Sequence, residues 1–198
     1  VVYTRTLPPN SRTTVQVSDI DINNDGVKEL ASASFSTKIE AQQEIIAERA
    51  MYWSSNGVTF IEGHNTPGVN AEAGKWAFAD GVEGSIDASG VRFSSFFLVS
   101  NSSASPLNIK ATFVREDGKG LVKTFSIPAQ ARFTIPTGTF PELSHQRFSA
   151  FIESTNNVPF VSERAVYWGP GFYGGTASVG TAWDAAIAAP PTLLLTPV

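Results

Sequence analysis

Residues 48–53 read ERAMYW and residues 163–168 read ERAVYW, a hexapeptide repeated with one conservative change 115 positions further on. Matching blocks flank both copies in the same order: LPPNSRTTV (7–15) with IPAQARFTI (127–135), FSTKIEA (35–41) with FSAFIES (148–154), and EIIAERAMYW (44–53) with VPFVSERAVYW (158–168). The offset drifts between blocks, as expected where loops vary over a fixed framework. The repeat also decides an ambiguous stretch. KIEAQQEIIAERAMYW alone passes for a helix, being rich in Glu, Gln, Ala and Ile. Its counterpart FIESTNNVPFVSERAVYW carries Asn156, Asn157 and Pro159, which suit a turn and break a helix. Both are therefore expected as hairpins, with FSAFIES joined to PFVSERAVYW by a short turn and Ala41–Glu44 as the turn of the first copy.

Period-2 alternation in the second motif sends Val161, Glu163, Ala165 and Tyr167 one way and Ser162, Arg164, Val166 and Trp168 the other. Four further runs are rich in β-branched and aromatic residues: 91–101, 107–117, 120–128 and 131–136, separated by SSASP, DGKG and PAQ. Glu116–Lys119 reads as a tight hairpin turn. Charged residues are only 16%, and 16 Gly and 12 Pro punctuate the chain, a composition unlike that of helical proteins. The fold class expected is all-β, an antiparallel β-sandwich in two related copies.

The first copy is incomplete, because nothing in it stands for FFLVSN or NIKATFVRE. At the far end, PPTLLLTPV (190–198) resembles the SSFFLVSN that opens the second copy. The expected organisation is a partial sandwich module over 1–76, a second module over 77–189, and a strand or tail at 190–198. That tail is expected to pair with a bare sheet edge of its own chain or of the next subunit.

ERAMYW, the following GHNTPG (63–68) expected as a turn, and KWAFADG (75–81) resemble the tandem modules of large secreted bacterial surface proteins. The second copy departs from this pattern, with GGTASVG (174–180) lacking the His and WDAA standing for WAFADG. The resemblance implies a cell-surface or extracellular, structural or adhesive role and no catalytic residues. The opening VVYTRTLPP lacks the charged head, apolar middle and cleavage site of a signal peptide, so an exported chain is expected as a processed form or an excised piece.

A net charge of −4 leaves no basic stripe for phosphates, which speaks against nucleic acid as a partner. No apolar run reaches the roughly 18–20 residues of a spanning helix, so no membrane insertion is expected. Without cysteine, disulfides, thiolate catalysis and Cys-based zinc sites are all excluded.

The sharpest local signal for chemistry is DIDINNDGVKEL (19–30). Counted from Asp21, it places Asp21, Asn23, Asp25, Gly26 and Glu29 at positions 1, 3, 5, 6 and 9 of a calcium loop, with the Val27 carbonyl at position 7. Alternate oxygen side chains before a glycine turn are what a hard cation needs. Position 12 is Ser32 and not the bidentate Glu of an EF-hand, so the expectation is a Ca2+ loop between strands, with Asp19 as a substitute ligand and an ordinary Asn/Asp/Gly turn as the alternative. Glu48/Arg49 and Glu163/Arg164 read as structural, since neighbours on a strand face opposite sides and cannot act on one atom. Arg164 is expected to reach Glu153, and Arg49 to reach Glu40. His64 and His145 sit in non-equivalent contexts, and neither is accompanied by a GxSxG elbow. Trp53, Trp76, Trp168 and Trp183, with Tyr52, Tyr167, Phe172 and Tyr173, serve core and inter-module packing, and GPGFYGG (169–175) is the exposed exception. The function expected is a non-enzymatic extracellular structural or adhesive protein, whose partners are other copies of itself or neighbouring surface modules, assembled by strand addition. The alternative is a carbohydrate-binding module using exposed aromatics, with a glycan as partner.

Overall fold

The structure, a computed structural model, describes residues 1–55 and 58–183, with only the backbone described at 55, 58, 59 and 61. The terminal strand expected at 190–198 lies outside the described residues. The chain divides into two compact units, residues 1–39 and the part from Glu40 onward. The first unit holds one 3-10 turn, Val17–Asp19, and Ile20 is its buried apolar residue. No strand begins before Glu48 among the described residues.

In the second unit, β1 (Glu48–Ser55) and β2 (Val58–Pro67) form an isolated antiparallel hairpin. Nine strands come after it: β3 (Lys75–Ser85), β4 (Arg92–Asn101), β5 (Leu107–Arg115), β6 (Gly120–Ile127), β7 (Ala131–Pro136), β8 (Gln146–Ser154), β9 (Val161–Trp168), β10 (Gly174–Val179) and β11 (Thr181–Ala182). They make an antiparallel β-sandwich. One layer runs β11-β3-β8-β5-β6 and the other β10-β9-β4-β7. β3 joins the layers: its register against β8 shifts between Phe78 and Gly81, and its last residues, Gly84 and Ser85, pair with Phe93 and Arg92 of β4.

The core follows from strand alternation. On β5, Leu107, Ile109, Ala111 and Phe113 are buried, while Asn108, Lys110 and Thr112 point away. β4 does the same with Ser95, Phe97, Val99 and Asn101. Phe97 is the hub, fully buried with its ring 5.0 Å from Phe78, 5.7 Å from Phe113 and 6.4 Å from Phe148. At one end Trp76 donates its indole N–H to the Phe160 carbonyl at 2.8 Å. At the SSASP loop the buried Asn101 amide donates to the carbonyls of Ser105 and Pro128, tying that loop to the PAQ turn. The turn expected at Glu116–Lys119 is present, with Gly118 at φ +78.

The hairpins expected around the motif are not. β8 and β9 lie in opposite layers, so residues 155–160 cross the sandwich instead of closing a hairpin. Asn157 at φ +60 turns the chain, and Phe160 plugs the crossing, fully buried and paired with Ala73. Of the first-copy blocks that match the second copy, only the motif block is a strand, Glu48–Ser55, and it pairs forward with β2, which absorbs the GHNTP expected as a turn. FSTKIEA stays irregular for a physical reason. Its counterpart β8 is bonded on one edge by β3 and on the other by β5, and the first copy has nothing in place of β5. Residues 1–76 therefore do not form a partial sandwich, and the expected boundary after Trp76 falls inside β3.

Phe97→Ala should cost about 3–5 kcal/mol, since the cavity it leaves is walled by three other rings. Val122→Ala, on an exposed face of β6, should stay within about 0.5 kcal/mol. Urea denaturation followed by tryptophan emission measures both.

Candidate functional site

The motif strands are each half of a hairpin with one shared construction. Glu48, Ala50 and Tyr52 face Pro67, Asn65 and Gly63 across β1–β2; Glu163, Ala165 and Tyr167 face Val179, Ala177 and Gly175 across β9–β10. In both, the tyrosine lies over the glycine opposite: a Cβ at Gly63 or at Gly175 would sit 2.6 Å from the tyrosine ring. Both motif strands thus lie in two-stranded hairpins with a glutamate–tyrosine face and an arginine–tryptophan face.

The arginine face of β1–β2 covers the tyrosine face of β9. Arg49 bonds to Glu163, and Trp53 donates its indole N–H to the Phe172 carbonyl at 2.8 Å. The Trp53 ring stands edge-on to Tyr167 at 5.5 Å, and Tyr167 packs on Phe172 and on Phe96 of β4. His64, from β2, is held between Trp53 at 5.6 Å and Tyr167 at 6.2 Å. Both of its ring nitrogens are buried without a hydrogen-bond partner. Burial, then the Arg49 cation, push the His64 pKa below its usual value against the opposing pull of Glu163. Burial pushes the Tyr167 phenol up and Arg132, on neighbouring β7, down.

The ion pairs expected within each copy form elsewhere. Arg49 finds Glu163 rather than Glu40. Arg164 points into the sandwich, where it donates to the Asp80 carbonyl at 2.5 Å and carboxylate at 2.9 Å beside the β3 irregularity. Glu153, in the other layer, lies between Lys110 at 2.7 Å and Lys75 at 3.4 Å, and the Lys110 ammonium holds its pKa below the usual carboxylate value. The alternation expected for β9 is present, with Ser162 and Val166 turned to the interior.

The aromatics divide by exposure. Trp76 is core, and Trp168 packs on Phe93. Trp183 leaves the sandwich edge against Phe151 and Lys75. In GPGFYGG, Phe172 is 47% exposed and Tyr173 53%, lifted by positive φ at Gly169, Gly171 and Phe172. On the outward face of β1–β2, Tyr52 is 65% and Phe60 68% exposed, 5.8 Å apart edge-on. They border a shallow depression of about 390 Å³ with Glu48, Ala50 and Asn65.

Within residues 1–39, the Asp/Asn loop is laced by its own carboxylates. Asp21 accepts from the amides of Asp25 at 3.2 Å and Gly26 at 2.8 Å, Asp25 from Val27 at 2.9 Å, and Glu29 from Ile22 at 3.2 Å. Asp19, the substitute ligand, is bonded to Lys28 at 2.7 Å. No three or more His, Cys, Asp or Glu side chains converge as a metal set among the described residues. His145 meets the Ser85 carbonyl at 2.6 Å through Nδ1.

One polar cluster went unread in the sequence. Glu83 is buried at the end of β3, where its carboxylate accepts from the Ser95 amide at 2.8 Å and the Thr137 hydroxyl at 2.5 Å. Burial pushes its pKa up, opposed by those hydrogen bonds and Arg92. The available signal was Ser95 on the inward register of an apolar strand, a polar residue that needs a partner.

No family model and no curated protein sequence matches the chain. Among solved structures, protein 1070 of Thermotoga maritima is similar at 22% identity and TM-score 0.50, over 59% of this chain and 98% of that one. The likeness is one of fold. The Anabaena sensory rhodopsin transducer aligns at 16% identity and TM-score 0.37, over 48% of this chain and 97% of its own.

Because the folded-state pKa of His64 is lowered, the stability it contributes is present above its unfolded value and lost as pH falls through the folded one. Protonation would add a buried cation beside Arg49, with Glu163 opposing the repulsion. Trp53 emission followed from pH 8 to 5 should therefore report loosening of the hairpin at a midpoint below about 6.5, and His64→Asn should remove that transition. A pH-independent signal in the unsubstituted chain would contradict this.

Proposed function

We propose that the chain is a non-catalytic structural or adhesive module of a bacterial cell surface. The observation that carries this reading is the joint between the two motif copies: the residues they share, Glu163, Tyr167, Arg49 and Trp53, are engaged with one another. Letters repeated for cohesion are what a surface scaffold uses, and the resemblance to tandem surface modules points the same way. Assembly with other copies proceeds by strand addition. β6, β7, β10 and β11 end their layers, each paired with one described strand; Pro136 blunts the end of β7, β11 has two residues, and β6 is longer than β10, so β6 is the edge we assign to strand addition. A calcium ion belongs to the same reading, held by Asp21, Asn23, Asp25, the Val27 carbonyl and Glu29.

Arg49→Ala and Glu163→Ala should couple by about 0.5–1 kcal/mol in a double-mutant cycle, a modest value because Arg49 is partly exposed. Zero coupling would remove the cohesive role. Sedimentation and negative-stain images should show assemblies that disappear when residues 190–198 are deleted; a monomer with or without them ends the assembly claim. Calorimetric titration with Ca2+ should give heat that Asp21→Asn and Asp25→Asn abolish, and a flat trace retires the ion.

A second reading, glycan binding, is favoured by Phe172 and Tyr173, two exposed rings on a glycine-flanked loop of the sort on which pyranoses stack. A glycan screen in which Tyr173→Ala loses the binding seen with the unsubstituted chain supports it, and no hit in the unsubstituted chain dismisses it.

A further inference from the structure

The covered and bare copies of one face can be compared directly within this molecule. Pairing registers of β1–β2 and β9–β10 correspond residue for residue, and on each the face carrying glutamate, alanine and tyrosine has its tyrosine over a glycine. On both arginine faces the guanidinium meets a carboxylate, Arg164 with Asp80 and Arg49 with Glu163. The tyrosine face of β9–β10 is covered: Arg49 lies on Glu163, and Trp53 covers Gly175, whose added Cβ would sit 2.8 Å from the indole. The tyrosine face of β1–β2 has the same parts, Glu48, Ala50, Tyr52 and Gly63, and stays exposed with Phe60 beside it.

We infer that the Glu48/Tyr52/Gly63 face is a docking surface for a second hairpin of the same motif, supplied by another polypeptide and presenting arginine and tryptophan four residues apart on one face. The internal joint supplies the template. The incoming guanidinium meets Glu48 as Arg49 meets Glu163, and the incoming indole lies over Gly63 against Tyr52 as Trp53 lies over Gly175 against Tyr167. Charge complementarity sets the orientation, since an acidic side chain at one end and an aromatic over a glycine at the other match only one direction of approach. A hairpin docked there would expose its own tyrosine face, so the contact is heterologous and open-ended. This inference rests on the cohesive reading of the motif and adds the partner and the face it occupies.

The test uses the whole chain and a disulfide-cyclised peptide of residues 46–68, because an isolated hairpin is marginally stable. The peptide carries Tyr52→Ser to block its own acceptor face. Titrated to about 1 mM, near the effective concentration a short tether provides, it should bind with one-to-one stoichiometry by calorimetry. Binding should fall at least about tenfold for Tyr52→Ala in the whole chain, and about two- to fivefold for Glu48→Gln there and for Arg49→Ala in the peptide. Both whole-chain variants alter exposed positions, and unchanged thermal unfolding confirms that they fold. Absence of binding overturns the inference. So does binding that survives Tyr52→Ala and Glu48→Gln but is lost on Glu163→Gln, since the peptide is then replacing the resident hairpin. Either result leaves the Arg49–Glu163 coupling in the intact chain untouched, so failure here and failure of the cohesive reading are distinguishable.

Discussion

The amides and carbonyls of a strand bond to a neighbour on each side or face water, and burial leaves only the first choice. β8 can be a central strand because β3 and β5 flank it, and β9 because β4 and β10 do. FSTKIEA has letters close to those of β8 but no flanking strands, and it stays irregular. The first motif keeps a single partner, β2, and a two-stranded ribbon alone is marginal in water. It is held by its arginine face, laid on the sandwich through side chains. Sheet pairing thus places one of the two near-identical hexapeptides inside a sandwich and the other on an appended hairpin, and the site exists because the hairpin must bury one face.

Within that joint, aromatic packing outweighs the ion pair. Arg49 is nearly half exposed, and pairs of that kind contribute about 0–1 kcal/mol. Trp53, Tyr167, Phe172 and Phe96 form a chain of edge-on and tilted ring contacts, each adding about 0.5–1.5 kcal/mol beyond area burial, and the indole N–H is satisfied by the Phe172 carbonyl. The Arg49–Glu163 bond serves mainly to fix which end of the hairpin lies where. His64 suits this environment only as a neutral ring, with no acceptor for a second proton and a guanidinium nearby.

The strands from β4 to β7 were legible because their runs are rich in β-branched and aromatic residues and their turns carry Gly and Pro: on β5, Leu107, Ile109, Ala111 and Phe113 declare a buried face without outside help. The path of the chain beyond β8 was not. Asn156, Asn157 and Pro159 mark a turn correctly, but a turn within a sheet and a crossing between sheets use the same residues, and only the neighbours of β8 and β9 decide between them. The ion pairs were misassigned for a related reason. Alternation fixes the side to which Arg164 and Glu163 point, while their partners, Asp80 and Arg49, come from segments 84 and 114 residues away. Glu83 escaped notice because its partners, a β4 amide and a hydroxyl in a 3-10 turn, are joined only by the fold.

Strand alternation splits ERA(M/V)YW into arginine with tryptophan on one side and glutamate with tyrosine on the other. Each side holds what the other lacks: a cation for a carboxylate, and an indole for a tyrosine lying over bare backbone. Glycine opposite the tyrosine is part of this design, since any side chain there would strike the tyrosine ring and fill the space that Trp53 takes over Gly175. A motif whose two faces are complementary needs no second kind of partner to extend itself, and docking one copy regenerates the surface it covered. That property stems from the alternation of six residues and one facing glycine.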